Sequence, residues 1–136
     1  MTVFLAHRGN YNGVEPDKEN TIDYLRQAYS MGFGVECDLQ VHDGVLYFGH
    51  DEPQETADWH FLLRPYVFCH AKTVETMQVL MNGGAHCFWH EEDKLTLTSR
   101  GLMWCYPGVH PVHAKSIWLD LQGHETPCVK DTNIFE

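Results

Sequence analysis

The chain has 136 residues, of which 43% are hydrophobic and 21% charged, with a formal net charge of −10. That length and balance indicate one folded domain over residues 1–136 and exclude an intrinsically disordered chain. The acidic balance excludes nucleic acid as a partner, because phosphate backbones require clusters of Lys and Arg, and the longest apolar runs, such as Val45–Phe48, are too short to cross a bilayer.

Met1 is followed almost at once by the apolar run Val3-Phe4-Leu5-Ala6. A signal peptide needs a basic start and a longer apolar stretch, so a cytoplasmic protein is expected. The run itself reads as a buried strand that stops at His7. Residues 8–18 are rich in Gly, Asn, Asp and Pro and predict a loop. From Glu19 the pattern turns helical, with Ile22, Leu25 and Tyr29 on one face and Gly32 as its stop. Residues 34–41 alternate: Val35, Cys37, Leu39 and Val41 share one face of a strand, and Glu36, Asp38 and Gln40 the other. His42-Asp43-Gly44 is a turn into a second strand over 45–48, a hairpin signal.

Further along, residues 56–63 predict a short helix carrying Trp59, Leu62 and Leu63. A strand over 66–69 ends at His70-Ala71-Lys72. Val74, Met77, Leu80 and Met81 form a helical stripe stopped by Gly83-Gly84. A strand over 85–89 ends at His90-Glu91-Glu92-Asp93, residues 95–98 and 102–106 form a hairpin about Ser99-Arg100-Gly101, and 117–121 is a last strand. Strands alternating with helices predict parallel pairing, with functional groups gathered where the strands end. Five cysteines, at 37, 69, 87, 105 and 128, make an odd count without a CxxC pair. Reduced, buried thiols are expected from them rather than disulfides or a zinc cluster.

The chemistry concentrates in the first 51 residues. Glu36 and Asp38 stand two apart in a strand, so their carboxylates point the same way. Enclosed together they repel unless a cation separates them, and a hard ion such as Mg²⁺ or Ca²⁺ prefers oxygen ligands. The same alternation equally describes the polar outer face of a half-buried strand, and on spacing alone that reading prevails. His7 and His50 flank the pair in sequence, and two histidines can serve as general base and general acid on either side of a phosphorus. His42, His60, His86, His110, His113 and His124 carry no local chemical pattern and are expected as surface or satisfied core residues.

The set A-H-R-G, E-N-T, E-x-D, D-G and G-H-D, in this order over residues 3–51, resembles the glycerophosphodiester phosphodiesterase family. The resemblance implies an α/β, TIM-barrel-like fold of the phosphatidylinositol-phospholipase-C-like kind. It matches His7 and His50 to the family's catalytic pair, and Glu36 and Asp38 to two metal-site carboxylates. Glu19 matches an acidic residue at or close to the metal, and Arg8 and Asn20 match residues near the phosphate or supporting the site. The implied reaction is metal-assisted cleavage, in which a neighbouring hydroxyl of the substrate can attack and give a cyclic phosphate.

Two departures stand out. Where the family carries an E-x-K word, this chain has His70-Ala71-Lys72. Lys72 is kept as a phosphate ligand, and His70 occupies the metal-ligand position. An imidazole there suits Mn²⁺ or Zn²⁺ better than Ca²⁺; alternatively His70 touches substrate, or Glu91 supplies the missing carboxylate. The chain is also shorter than the roughly 200 residues of a full barrel. A reduced or incomplete barrel of about five or six parallel strands plus hairpins is expected, its edges left open or covered by a second copy of the chain. Trp89, Trp104 and Tyr106 either line a sugar or glycerol pocket or fill the core, and the core reading is preferred. The expected function is hydrolysis of a small glycerol- or sugar-linked phosphodiester. The alternatives are a catalytically impaired phosphate- and metal-binding domain, a lyase stopping at the cyclic product, or a phosphatase.

Overall fold

The computed structural model describes residues 3–105 and 115–118. The chain runs β1 (Leu5–His7), α1 (Ile22–Ser30), β2 (Gly34–His42), β3 (Val45–Phe48), β4 (Glu55–Thr56), α2 (Trp59–Leu62), β5 (Val67–Ala71), α3 (Val74–Asn82), β6 (Cys87–Trp89), β7 (Leu95–Leu97), β8 (Met103–Cys105) and β9 (Ser116–Trp118).

Local chemistry accounts for most of these boundaries. Helix α1 buries Tyr24, Leu25 and Ala28, and Gly32, at a φ of 96°, takes the left-handed position just past its end. Its first backbone donor is satisfied from far away, by the Glu55 carboxylate, which accepts from Ile22 N–H at 2.9 Å. Asp58 and Thr73 cap α2 and α3, accepting from Phe61 N–H and Thr76 N–H. Asp43 and Gly44 both have positive φ, 51° and 76°, and His42 pairs with Val45. This two-residue turn follows the twist of the strands it joins.

Strand β2 organises the larger sheet, whose order is β4-β3-β2-β5-β6 with β1 also on β2. One edge of β2 carries β5 in parallel, from Val35↔Val67 to Leu39↔Ala71. The other edge is shared end to end. β1 runs parallel along its first part, up to His7↔Glu36, and β3 runs antiparallel along its last part, from Leu39↔Phe48 onward. Ala6, Val35, Cys37, Leu39 and Cys69 line the face packed against the helices, with Leu25, Phe61 and Leu80. On the opposite face Phe68 and Phe88 are covered by a second, three-stranded sheet, β7-β8-β9, through its Trp104 and Ile117. Ser99 ties the two sheets together: its N–H donates to Cys87 O at 2.7 Å, and its hydroxyl accepts from Cys87 N–H at 2.9 Å.

This arrangement overturns the TIM-barrel-like expectation. The sheets are mixed and open, and the strands of the larger one that run mutually parallel are β1, β2, β5 and β6, not five or six. The physical reasons are local. The Asp43-Gly44 turn folds β3 straight back onto the edge of β2 beside β1, so an antiparallel strand occupies it. After β6 the alternation with helices ends among the described residues, and the chain builds the second sheet instead. The two-residue strand β4 was not anticipated, being too short for a periodic signal. The expected continuations at 106 and 119–121 lie outside the described residues, as do Cys128, His110, His113 and His124. Cys37, Cys69, Cys87 and Cys105 are buried free thiols. No helix among the described residues is long and apolar enough to cross a membrane.

Candidate functional site

The polar face of β2 is not an outer face. Glu36, Asp38 and Gln40 are 2%, 0% and 7% exposed. Carboxylates withdrawn from water in this way require donors or positive charge. Asp38 receives them from three residues, two in the loop between β1 and α1 and one on β5. Arg8 Nε lies 3.0 Å from Oδ2, Asn20 Nδ2 donates to the same oxygen at 3.0 Å, and His70 Nδ1 lies 3.1 Å from Oδ1. Asp38 N–H in turn donates to Asn20 Oδ1 at 2.9 Å. Burial works against the Asp38 charge, but His70, Asn20 and Arg8 outweigh it and hold the carboxyl well below the usual range. Glu36 Oε2 lies 3.2 Å from His7 Nε2. Burial alone would lower the His7 pKa; the Glu36 carboxylate overcomes it and leaves the imidazole more basic than a free histidine.

Strand register puts these groups together. His7 is the cross-strand partner of Glu36, and Asp38 that of His70, so all four project on one face near the ends of β1 and β5. At the two ends of the loop between β1 and α1, Arg8 and Asn20 both take left-handed backbone, at φ 56° and 58°, and Asn20 N–H donates to Arg8 O at 3.1 Å. That pairing brings the loop back beside Asp38.

The second histidine word docks on the same edge. Arg8 N–H donates to Glu36 O at 2.9 Å, and Gly49 N–H donates to Asp38 O at 3.0 Å. The chain segments holding His7 and His50 therefore abut β2 at carbonyls two residues apart. Gln40 Nε2 secures the second segment by donating to Gly49 O at 2.8 Å and His50 O at 3.1 Å. His50 Nδ1 sits 2.8 Å from Asp51 Oδ1, with 36% of its side chain exposed.

Glu19 is placed one step away. One of its oxygens takes Arg8 at 3.1 Å and the other takes Asn10 Nδ2 at 3.0 Å. The arginine thus links Asp38 to Glu19. Lys72, just after β5, is half-buried and fixed by its N–H to Leu39 O at 3.1 Å, while Glu91 is exposed. One donor atom each from Glu36, Asp38 and His70 lie within 4.8 Å of one another. Glu36 Oε1 and His70 Nε2 are buried with no hydrogen-bond partner among the described residues. Two carboxylates and an imidazole with two unused buried lone pairs fit a divalent cation, and they fit Mn²⁺ or Zn²⁺ better than Ca²⁺.

Three contributors had no assigned role in the sequence. Gln40 lies on the carboxylate face by alternation, but only the fold shows that it clasps the His50 segment. Asn10 completes the Glu19 contact. His90, two residues past Phe88 and just after β6, stacks on His70; its place at a strand end and the period-two spacing were its signals. Trp104 belongs to the core, as preferred, and Trp89 is 38% exposed. His86 is a satisfied buried histidine bonded to Thr98 Oγ1 at 2.7 Å, and His42 and His60 are exposed.

Comparison with protein-family models, with curated proteins and with solved structures finds no match.

Proposed function

We propose that the protein is a cytoplasmic, metal-dependent phosphodiesterase that cleaves a small glycerol- or sugar-linked phosphodiester. One observation carries this reading: the segments holding His7 and His50 dock two carbonyls apart on β2, beside the buried Glu36, Asp38 and His70. Free thiols at four buried cysteines agree with a reducing compartment.

Glu36, Asp38 and His70 would hold the cation, which when bound supplies Lewis-acid polarisation of the phosphate oxygens. His7, made more basic by Glu36, is suited to give a proton to the leaving alcohol. His50 is the more accessible imidazole, and Asp51 at Nδ1 orients it to take a proton at Nε2 from the attacking hydroxyl. Lys72 contributes positive charge toward the phosphate. Arg8, held by Asp38 and Glu19, orients the site, and Asn20 fixes Asp38.

The test is turnover of a panel of glycerol- and sugar-linked phosphodiesters, followed by phosphorus NMR. His7→Ala and His50→Ala are each expected to lower turnover by about 10²–10⁴-fold with the far-ultraviolet dichroism unchanged, and chelation is expected to stop it. A cyclic phosphate as final product would make the enzyme a lyase. Turnover indifferent to both substitutions and to chelator would overturn the reading.

A further inference from the structure

His70 lies between Asp38 on β2 and a pair of rings, Phe88 on β6 and His90 just past it. Phe88 is its cross-strand partner, with ring centroids 4.8 Å apart and planes 14° apart. His90 is at 4.7 Å and 2°. Phe88 and His90 are themselves only 5.9 Å apart and 12° from coplanar, too close to lie on opposite faces of His70. They form one flat platform, and His70 rests on it. With Nδ1 beside Asp38, the His70 ring leaves Nε2 buried and without a partner.

The stacking also decides what His90 does not do. An imidazole lone pair lies in its ring plane, so a ligated cation lies close to that plane. Stacked rings 2° from parallel have planes that stay apart, and one ion cannot lie in both. We propose that His90 is a positioning residue for the cation site: its ring, side by side with Phe88, fixes the plane in which His70 offers its free nitrogen. Without it, half of the platform is gone and the His70 ring can swing about its bond to the β-carbon. Groups that orient a metal-binding histidine are worth about 10–100-fold in metal affinity. A ring of any kind should serve, since the contact is one of faces.

This inference rests on the metal-site reading above, and calorimetric titration of Mn²⁺ into the full chain tests the two separately. The wild type is expected to bind Mn²⁺, His90→Ala to bind it about 10–100-fold more weakly, and His90→Phe to restore affinity to near the wild-type value. Absence of Mn²⁺ binding by the wild type would overturn the metal-site reading and this inference with it. Binding by the wild type that His90→Ala leaves unchanged would overturn the positioning role alone. If His90→Ala does not fold, His90→Phe and His90→Gln decide the matter. Phe is expected to hold affinity and Gln to lose it, and equal affinities in the two would overturn the proposal.

Discussion

Asn20 shows how much a single amide does here. It gives Nδ2–H to Asp38 Oδ2 and accepts from Asp38 N–H, is 1% exposed, and does so from left-handed backbone at φ 58°. Asparagine tolerates that conformation better than most residues. Asn20→Ala therefore removes two buried hydrogen bonds, one of them to a charge, and adds backbone strain. A loss of about 3 kcal/mol is expected in urea denaturation at neutral pH. A loss below about 1 kcal/mol would mean that water replaces the amide. At this scale the sequence was legible as words: the residues flanking and following the acidic pair could be singled out. It did not disclose that Glu19 faces Arg8 and Asn10 rather than the Glu36, Asp38 and His70 group, because side-chain pairing across a loop follows from the loop's path, which no periodicity encodes.

Among the elements, the hairpin was the most legible, since Asp43-Gly44 determines both its turn and its register. What the hairpin then does was not. Its second strand is followed by Gly49, where φ is 151° and a Cβ would stand 1.9 Å from Glu52 O. Only glycine fits, and Gly49 N–H is the group that joins the His50 segment to Asp38 O. Gly49→Ala is expected to cost at least about 2 kcal/mol in thermal or urea unfolding. Under the proposed function it also loses turnover in any fraction that folds, because His50 shifts with its backbone. Full stability and turnover in this variant would show that the bend can relax. Alternation in β2 was equally readable, yet its polar residues seemed suited to an outer face. Their surroundings come from Arg8, Asn20 and His70 at Asp38 and from the Gly49–His50 segment at Gln40, groups spread far along the chain. Local patterning states which residues share a face and is silent on what will cover it.

At the scale of the whole molecule, the covering sheet brings an acid sensitivity. His86 is 7% exposed, bonded to Thr98 and 4.6 Å from the Phe68 ring. Burial, and then the Arg100 charge, lower its pKa to about 4. A free histidine titrates near 6.5, so below that pH the unfolded chain binds a proton that the folded one refuses until about pH 4. His86 therefore leaves stability level above pH about 6.5 and removes up to ~3 kcal/mol between there and pH about 4. His7 acts in the opposite sense. Its raised folded value gives stabilisation that is complete below about 6.5 and fades as the pH rises through that raised value. Urea midpoints measured from pH 7.5 down to about 4.5 should fall in the wild type and fall less in His86→Gln. Equal slopes in the two proteins would assign the acid sensitivity to other groups. Apart from β4, the strand and helix order of the described chain was readable to within a few residues, but the barrel that the family resemblance implied is not what formed. The hairpin itself was readable, but not that β1 and β3 would share one edge of β2 end to end, nor that the chain after β6 would build a separate sheet.

Strand β2 also acts as a caliper. The backbones that carry the two histidines abut it at the carbonyls of residues 36 and 38, so the gap between them is one pleat repeat, roughly 6.5–7 Å. Insertions in the loop after His7, in α1 or beyond Asp51 leave that gap unchanged, however much they alter the surroundings. A bulge at Cys37 would reset it at once. Tolerance to added length should thus be wide in the loops around the site, away from Arg8, Asn20 and Gly49, and narrow at one buried cysteine that performs no chemistry.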